Sequence, residues 1–373
     1  MGTVLEVDLS GNVADLVTAA EPARTALVDA STGEAVTWGE VAAEANSIAA
    51  RLAESGVSPG DRVVVRLPVG IPYCLAVFGV LRAGAVLVPL STDLPSAAVL
   101  DLLADCQAAR YVGDPVPGMD VPVLTANGTT GQRESVGGGE DIAVLCYTSG
   151  TSGRPRGVLL SHRALLANVA QCAALRPAPV TATDRVLLSL PLSHAYGLGP
   201  GLLQVAAAGA TAVLLPRFGT HEALAAIQTH RVTTLVGVPP MYAALLTVPD
   251  ERLHTALATV RLFTSGAAPL SPALLAGIRR ITGLPVYEGY GLTETAPVLT
   301  STLASDTAKP GSVGRPLPGV ELRIVDSDGD PLPGEDPDDE LGDETGGTGL
   351  VSVRGPNLFS GYWPDRAFAP EPE

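Results

Sequence analysis

The stretch Tyr147-Thr148-Ser149-Gly150-Thr151-Ser152-Gly153-Arg154-Pro155-Arg156-Gly157 decides how the rest of the chain is read. From Thr148 to Gly153 it holds only hydroxyl residues and glycine, and Arg154 and Arg156 follow. Such a run can wrap N–H and O–H donors around a polyphosphate, with guanidinium charge beside them. Glycine is needed where the backbone itself must approach phosphate oxygens, because a side chain would block the approach. The spacing is not Gly, four residues, then Gly-Lys-Ser/Thr, so this is no Walker loop. A surface turn of the same composition is the alternative reading. The loop follows a buried apolar strand, 142–147, and precedes a helix-forming segment, 164–175.

Outward from the loop, apolar segments alternate between strand and helix periods. The segments 61–67, 85–90, 186–190 and 233–238 read as strands, and 37–52 and 73–81 as helices. The alternation predicts an α/β fold of mostly parallel, helix-covered sheets, with ligands where strands run into loops. At 373 residues, 46% hydrophobic and 17% charged, the chain can bury a large core of several subdomains. A net charge of −16 argues against nucleic acid or an anionic membrane as partner. Cys74, Cys106, Cys146 and Cys172 lack metal-ligand spacing and read as buried thiols of a cytoplasmic protein. The uncharged stretch 197–216 is long enough to span a bilayer. Its glycines and Pro200 predict instead a buried helix that turns at Gly209 into a strand, so no membrane span is expected.

Residues 1–320 read as the α/β core, and 321–373 as a β-rich, barrel-like annex holding an acidic loop at 326–347. Asp326, Asp328 and Asp330 have calcium-loop spacing, but Pro331 stands where that loop needs glycine, so a solvated loop is expected.

A second cluster lies further on: Glu288-Gly289-Tyr290-Gly291-Leu292-Thr293-Glu294-Thr295, preceded by Thr264-Ser265-Gly266-Ala267-Ala268-Pro269-Leu270. Alone, Thr293 and Glu294 could simply start a helix, where acidic residues are favoured. Together with the hydroxyl-glycine loop, these segments resemble the signatures of the adenylate-forming superfamily of acyl-CoA synthetases, luciferases and adenylation domains. The resemblance runs from about Thr37 to Trp363 and includes Lys309-Pro310-Gly311 and Arg354-Gly355-Pro356-Asn357. It departs at Ser152, where the family has threonine, and at Arg156, where it has lysine. Lys309 is the one lysine among 23 basic residues, so coding bias accounts for the second exchange as readily as altered ATP handling.

The resemblance implies two pseudo-repeated α/β subdomains and a set of roles. Thr148, Ser149, Gly150, Thr151, Ser152, Gly153 and Arg156 would hold the phosphates of ATP. Ala267, Ala268, Pro269, Glu288, Gly289 and Tyr290 would hold adenine and AMP. Thr293 would contact the α-phosphate and Glu294 would hold magnesium. His194 would border the carboxylate site, with Gly237, Val238, Gly266, Gly289 and Gly291 along the acyl group. Thr148, His194, Thr293 and Glu294 are the implied catalytic residues. Ala195 stands where amino-acid-activating relatives carry Asp, which argues against an α-amino acid. Glycine at 289 and 291 implies a long or bulky apolar acid, such as a fatty acid.

The implied reaction converts that acid and ATP, through acyl-AMP, to a CoA thioester. Two alternatives are a ligase that takes preformed acyl-adenylate and a non-catalytic acyl- or adenylate-binding module. The family also has a C-terminal cap domain of roughly a hundred residues. Its absence from a chain stopping at Glu373 implies a fragment, with little turnover alone.

Overall fold

The computed structural model describes residues 7–124, 134–148, 155–305, 308–330, 332 and 348–364. Among them, two sheets form the frame. The smaller has six strands in the order Gly361–Trp363, Arg156–Ser161, Ile142–Thr148, Val86–Pro89, Arg62–Arg66, Arg110–Gly113. Its last four strands are parallel, as the apolar runs imply. The segment after the phosphate-type loop corrects the sequence reading. It does not lead directly into a helix: Arg156–Ser161 is a strand that turns back antiparallel on Ile142–Thr148, pairing Thr148 with Arg156. The run Gly157-Val158-Leu159-Leu160 is too short to show a period, and it is buried throughout because it pairs on both edges. Ser161 then ends the strand, and its hydroxyl caps helix His162–Ala173 by accepting the Ala164 N–H.

The larger sheet has nine strands among the described residues, from Arg315–Pro316 through Val298–Ser301, Val286–Gly291, Leu262–Ser265, Thr234–Gly237, Arg185–Leu188, Thr211–Leu214 and Thr25–Asp29 to Ala35–Thr37. Its interior is parallel and only its margins are antiparallel. Helix Ile71–Arg82 touches strands of both sheets, so one apolar core serves both. It lies so close to helix Trp38–Glu54 that a Cβ on Gly79 would sit 2.4 Å from Ile48 Cγ2. Trp38 is fully buried and donates its indole N–H to the Ala210 carbonyl at 3.2 Å. That bond pins the first helix to the turn before strand Thr211–Leu214.

The stretch 197–216 folds as the sequence implies. A π-helical turn Gly197–Leu203 leads into helix Gln204–Ala208, left-handed Gly209 ends it, and the strand follows. Among the described residues no helix is long and apolar enough to cross a membrane. All four cysteines are buried and unpaired.

The annex is a two-stranded antiparallel ribbon, Glu321–Val325 with Leu350–Arg354, and no closed barrel forms among the described residues. Its alternating, half-exposed strands have too few partners to close a barrel. Strand Gly361–Trp363 leaves the ribbon and pairs with Arg156–Ser161, placing Tyr362 opposite Val158. The Asp326 carboxylate accepts the N–H groups of Asp328 and Asp330, closing a tight turn. Residues 331 and 333–347 of the acidic loop lie outside the described residues.

One buried titratable group makes folding pH-dependent. His162 is 1% exposed, and its Nδ1 accepts the Val13 N–H at 3.0 Å, which requires the neutral ring. Burial pushes its pKa from 6.5 down to about 4, against the weaker pull of Asp141 and Asp15. Between those values the unfolded chain holds a proton that the folded chain refuses, so stability falls as the pH drops through that window. We expect denaturant titrations to lose up to about 3 kcal/mol between pH 6.5 and 4. In His162→Gln most of that slope disappears, because an amide oxygen accepts the same bond without titrating. An unchanged slope in the variant would assign the acid sensitivity elsewhere.

Candidate active site

Three segments distant in sequence meet at the end of the antiparallel hairpin. Thr148 and Arg156 face each other across it, and the Thr148 hydroxyl donates to the Arg156 carbonyl at 3.3 Å. The Arg156 guanidinium lies over the Tyr362 ring, 3.3 Å from its centroid, a cation–π contact. The Tyr362 hydroxyl in turn donates to Glu294 Oε1 at 3.0 Å, and the Phe359 N–H donates to the Glu294 carbonyl at 2.9 Å. Burial beside Glu294 raises the Tyr362 pKa, so the phenol stays protonated and keeps donating. The two ends of the loop and the acidic residue of the second cluster are thus one assembly. Ser149, Gly150, Thr151, Ser152 and Gly153 lie outside the described residues.

Beside this assembly opens a cleft of about 300 Å3. Seven of the residues singled out from sequence line it: His194, Val238, Ala267, Gly289, Tyr290, Gly291 and Thr293. His194 is exposed at its rim, whereas Ala195 is buried in its wall. Strand Val286–Gly291 delivers the tyrosine and glycines, and a short 3-10 turn, Thr293–Thr295, presents Thr293 and Glu294. The turn is one revolution long, so these two residues do not start a longer helix. Ala268 and Pro269 are exposed on the loop that carries Ala267. Ala267, which lines the cleft, and Ala296, next to the lining residue Pro297, hold φ of 64° and 62°, left-handed values that cost non-glycine residues roughly 1 kcal/mol each. Backbone held this way gathers where a binding surface must be preformed.

Other predicted residues stand behind the surface. Glu288 is 6% exposed, and its carboxylate accepts the Leu270 N–H at 3.0 Å, which anchors the end of the Thr264–Leu270 loop. Burial raises its pKa, and the Leu270 N–H opposes the rise. Gly237 and Gly266 do not line the cleft; they make room for rings. A Cβ at Gly237 would meet the Tyr242 hydroxyl at 3.0 Å, and one at Gly266 would lie 2.7 Å from the Tyr196 ring. Gly291 lines the cleft, but a Cβ there would point at the Pro297 carbonyl, 1.8 Å away. Backbone packing alone therefore demands glycine at 291, whatever the ligand.

Sequence reading missed Asn168 and gave Asn357 no role beyond membership of a family-like segment. Asn168 mimics a strand partner for Val298: its amide donates to the Val298 carbonyl at 2.7 Å and accepts the Val298 N–H at 3.1 Å. Asn357, fully buried, donates to the Thr295 carbonyl at 2.8 Å. For Asn168 the available signal was a pair of amides, Asn168 and Gln171, three apart on a largely apolar helix, since buried amides must be paired.

The geometry suits a nucleotide with its cation. Glu294 spends Oε1 on Tyr362, and among the described residues its Oε2 takes no hydrogen bond. No cluster of three or more metal-ligating side chains occurs among the described residues. One carboxylate beside phosphates is how magnesium is commonly held, so Glu294 fits that ion.

Two glycines of the same strand should respond oppositely to alanine. Gly291→Ala is expected to cost at least about 2 kcal/mol of stability, because a backbone carbonyl cannot give way. Gly289→Ala meets its nearest atom, the Thr300 carbonyl, at 3.4 Å and should cost less than about 1 kcal/mol. Thermal unfolding of both variants checks this, and equal melting temperatures would contradict the stated cause.

Comparison with known proteins accords with this geometry. The model of the AMP-binding enzyme family matches residues 15–363. Feruloyl-CoA synthase of an Amycolatopsis species is 33% identical over 344 residues, covering 89% of this chain and 67% of its own. Indoleacetate–CoA ligase of Aromatoleum aromaticum is 31% identical, covering 88% and 67%. The chain thus spans about two thirds of the length of these relatives. Among solved structures, ATP-bound MatB from Rhodopseudomonas palustris superposes with a TM-score of 0.85 at 28% identity, covering 96% of this chain and 73% of that one. The anthranilate CoA ligase AuaEII in complex with anthranoyl-AMP gives 0.85 at 25% identity, covering 99% and 73%. The signatures, the two-sheet frame and these likenesses agree, and the chain belongs to the AMP-binding enzyme family of adenylate-forming enzymes.

Proposed function

We propose that the protein is an acyl-CoA ligase that activates a bulky, largely apolar carboxylic acid through acyl-AMP and passes the acyl group to CoA. The observation that carries this reading is the Arg156–Tyr362–Glu294 contact, which joins both ends of the hydroxyl-glycine loop to the second cluster beside the cleft. In the first half-reaction a carboxylate oxygen of the acid bonds to the α-phosphorus of ATP, and the bond to the β-phosphate breaks to release pyrophosphate. In the second, the CoA thiol adds to the acyl carbonyl, loses its proton, and expels AMP. Positioning and charge neutralisation dominate steps of this kind.

Each residue then has a task. Thr148, the donors of 149–153 and Arg156 hold the phosphates; Thr293 contacts the α-phosphate; Tyr290 and the 267–269 loop take the adenine; His194 borders the acid's carboxylate. Magnesium held by Glu294 would supply positive charge at the phosphates. The apolar cleft favours a bulky acid, and the relatives' names, feruloyl, indoleacetate and long-chain fatty acid, describe acids of that kind. Ala195 offers no carboxylate to an ammonium group, which disfavours amino acids.

Acid-dependent ATP–pyrophosphate exchange tests the proposal. We expect exchange with aromatic or medium-chain acids and a fall of about a hundredfold or more in Glu294→Gln. Thioester formation from synthetic acyl-AMP without any exchange would favour the non-adenylating alternative. Calorimetric binding of acid with no response to nucleotide would favour a simple acyl-binding module.

A further inference from the structure

Three residues of the smaller sheet stand in one row across neighbouring strands: Tyr147 pairs with Gly157, and Gly157 with Trp363. Side chains alternate between the faces of a strand, so Tyr147 and Trp363 point away from their chain neighbours Thr148 and Tyr362. The packing agrees: Tyr147 and Trp363 lie against the cluster of Leu102, Leu145 and Leu159, whereas Tyr362 lies against the core on the other face. Gly157 leaves room for both rings, because a Cβ there would lie 3.0 Å from Trp363 Cβ and 3.4 Å from Tyr147 Cε1.

One residue bonds to both aromatic side chains. The Tyr147 hydroxyl donates to the Asp105 carboxylate, and the Trp363 indole N–H donates to the Asp105 carbonyl at 3.0 Å. Burial, with that carboxylate beside it, raises the Tyr147 pKa, so the phenol stays protonated and keeps donating. Asp105 is the last residue of helix Ser96–Asp105, where the helix dipole disfavours negative charge. A residue set against a local preference marks a compensating contact, and here that contact is the Tyr147 hydroxyl. Arg62 steadies the same corner: its guanidinium donates to the Cys106 and Gln107 carbonyls at 2.8 and 3.2 Å and lies 5.4 Å from the Trp363 ring centroid.

We propose that Asp105 is a positioning residue for nucleotide binding: from behind the sheet it holds the immediate chain neighbours of Thr148 and Tyr362, and so fixes where Thr148 and Arg156 meet the phosphates. The proposal rests on the ligase reading above, which assigns those two residues to ATP. Asp105 itself does not line the cleft. Its effect is selective. His194 and Val238, assigned to the acid, follow strands Arg185–Leu188 and Thr234–Gly237 of the larger sheet, to which Asp105 makes no hydrogen bond among the described residues. Loosening Asp105 therefore weakens the hold on ATP and spares the acid. Because Asp105 is exposed, water replaces a lost bond in part, and the loss is moderate.

Asp105→Ala removes the carboxylate and Tyr147→Phe removes the donor, while the Trp363 bond, made to main chain, remains. We expect each variant to raise the KM for ATP in pyrophosphate exchange about fivefold, with less than about a twofold change in the KM for the acid. The double variant should match either single one within about twofold, because both delete the same bond. Asp105→Asn keeps an oxygen that accepts from the phenol and should stay within about twofold of the parent protein. An unmoved KM for ATP, equal rises for ATP and acid, or effects that multiply in the double variant overturn the proposal. Should Asp105→Ala fail to fold, Tyr147→Phe, the loss of a single oxygen atom, decides. Calorimetric titration with ATP gives the same comparison without turnover. A protein that binds ATP but exchanges with no acid refutes the ligase reading alone, and one that binds no ATP refutes both.

Discussion

Everything at this site depends on one stacked contact and the hydrogen bond that continues it: Arg156 on Tyr362, and Tyr362 to Glu294. Together with the Phe359 N–H on the Glu294 carbonyl, it sets the spacing between the hairpin Ile142–Thr148/Arg156–Ser161 and the turn Thr293–Thr295. The contact couples a permanent cation to a carboxylate through a neutral ring. An aromatic spacer keeps the two charges from collapsing into a direct ion pair, so each stays available to a ligand. Arginine at 156 can stack flat on the phenol with its planar guanidinium, which an ammonium group could not do in the same way.

The architecture around that contact is stiff because its core is shared. Helix Ile71–Arg82 packs on strands of both sheets, and Trp38 ties the first helix to the nine-stranded sheet. Close packing of this kind resists continuous deformation. The cleft walls are further fixed by Asn168, Asn357 and the buried Glu288 carboxylate, each holding backbone rather than ligand. Recognition here rests on prearranged main chain more than on side-chain adjustment.

Much of this was legible in the sequence, and the misses have physical causes. Periodicity located part of the frame, including 61–67, 85–90, 142–147, 37–52 and 73–81, because buried segments carry their burial in their composition, but it did not single out Arg110–Gly113, Leu262–Ser265 or helix Ser96–Asp105. The turn at Gly209 was readable because only glycine enters left-handed geometry freely. The strand Arg156–Ser161 was missed because its short apolar run looks alike as strand or helix, and only pairing decides. The cleft residues were legible through motifs, whereas Asn168 acts across 130 positions of chain, and nothing local announces a partner that distant. Gly291 was read as opening space for substrate, and the Pro297 carbonyl gives it a second, purely steric reason.

Strand Gly361–Trp363 has a consequence for the order of assembly. It completes a sheet whose other five strands lie between residues 62 and 161, so the outer edge of Arg156–Ser161 stays bare while two hundred further residues emerge from the ribosome. A bare apolar edge is a template for wrong pairing, and its natural cover arrives last. The same late event brings Tyr362 to Glu294. One strand thus both covers the edge of the smaller sheet and carries the side chain that meets Glu294.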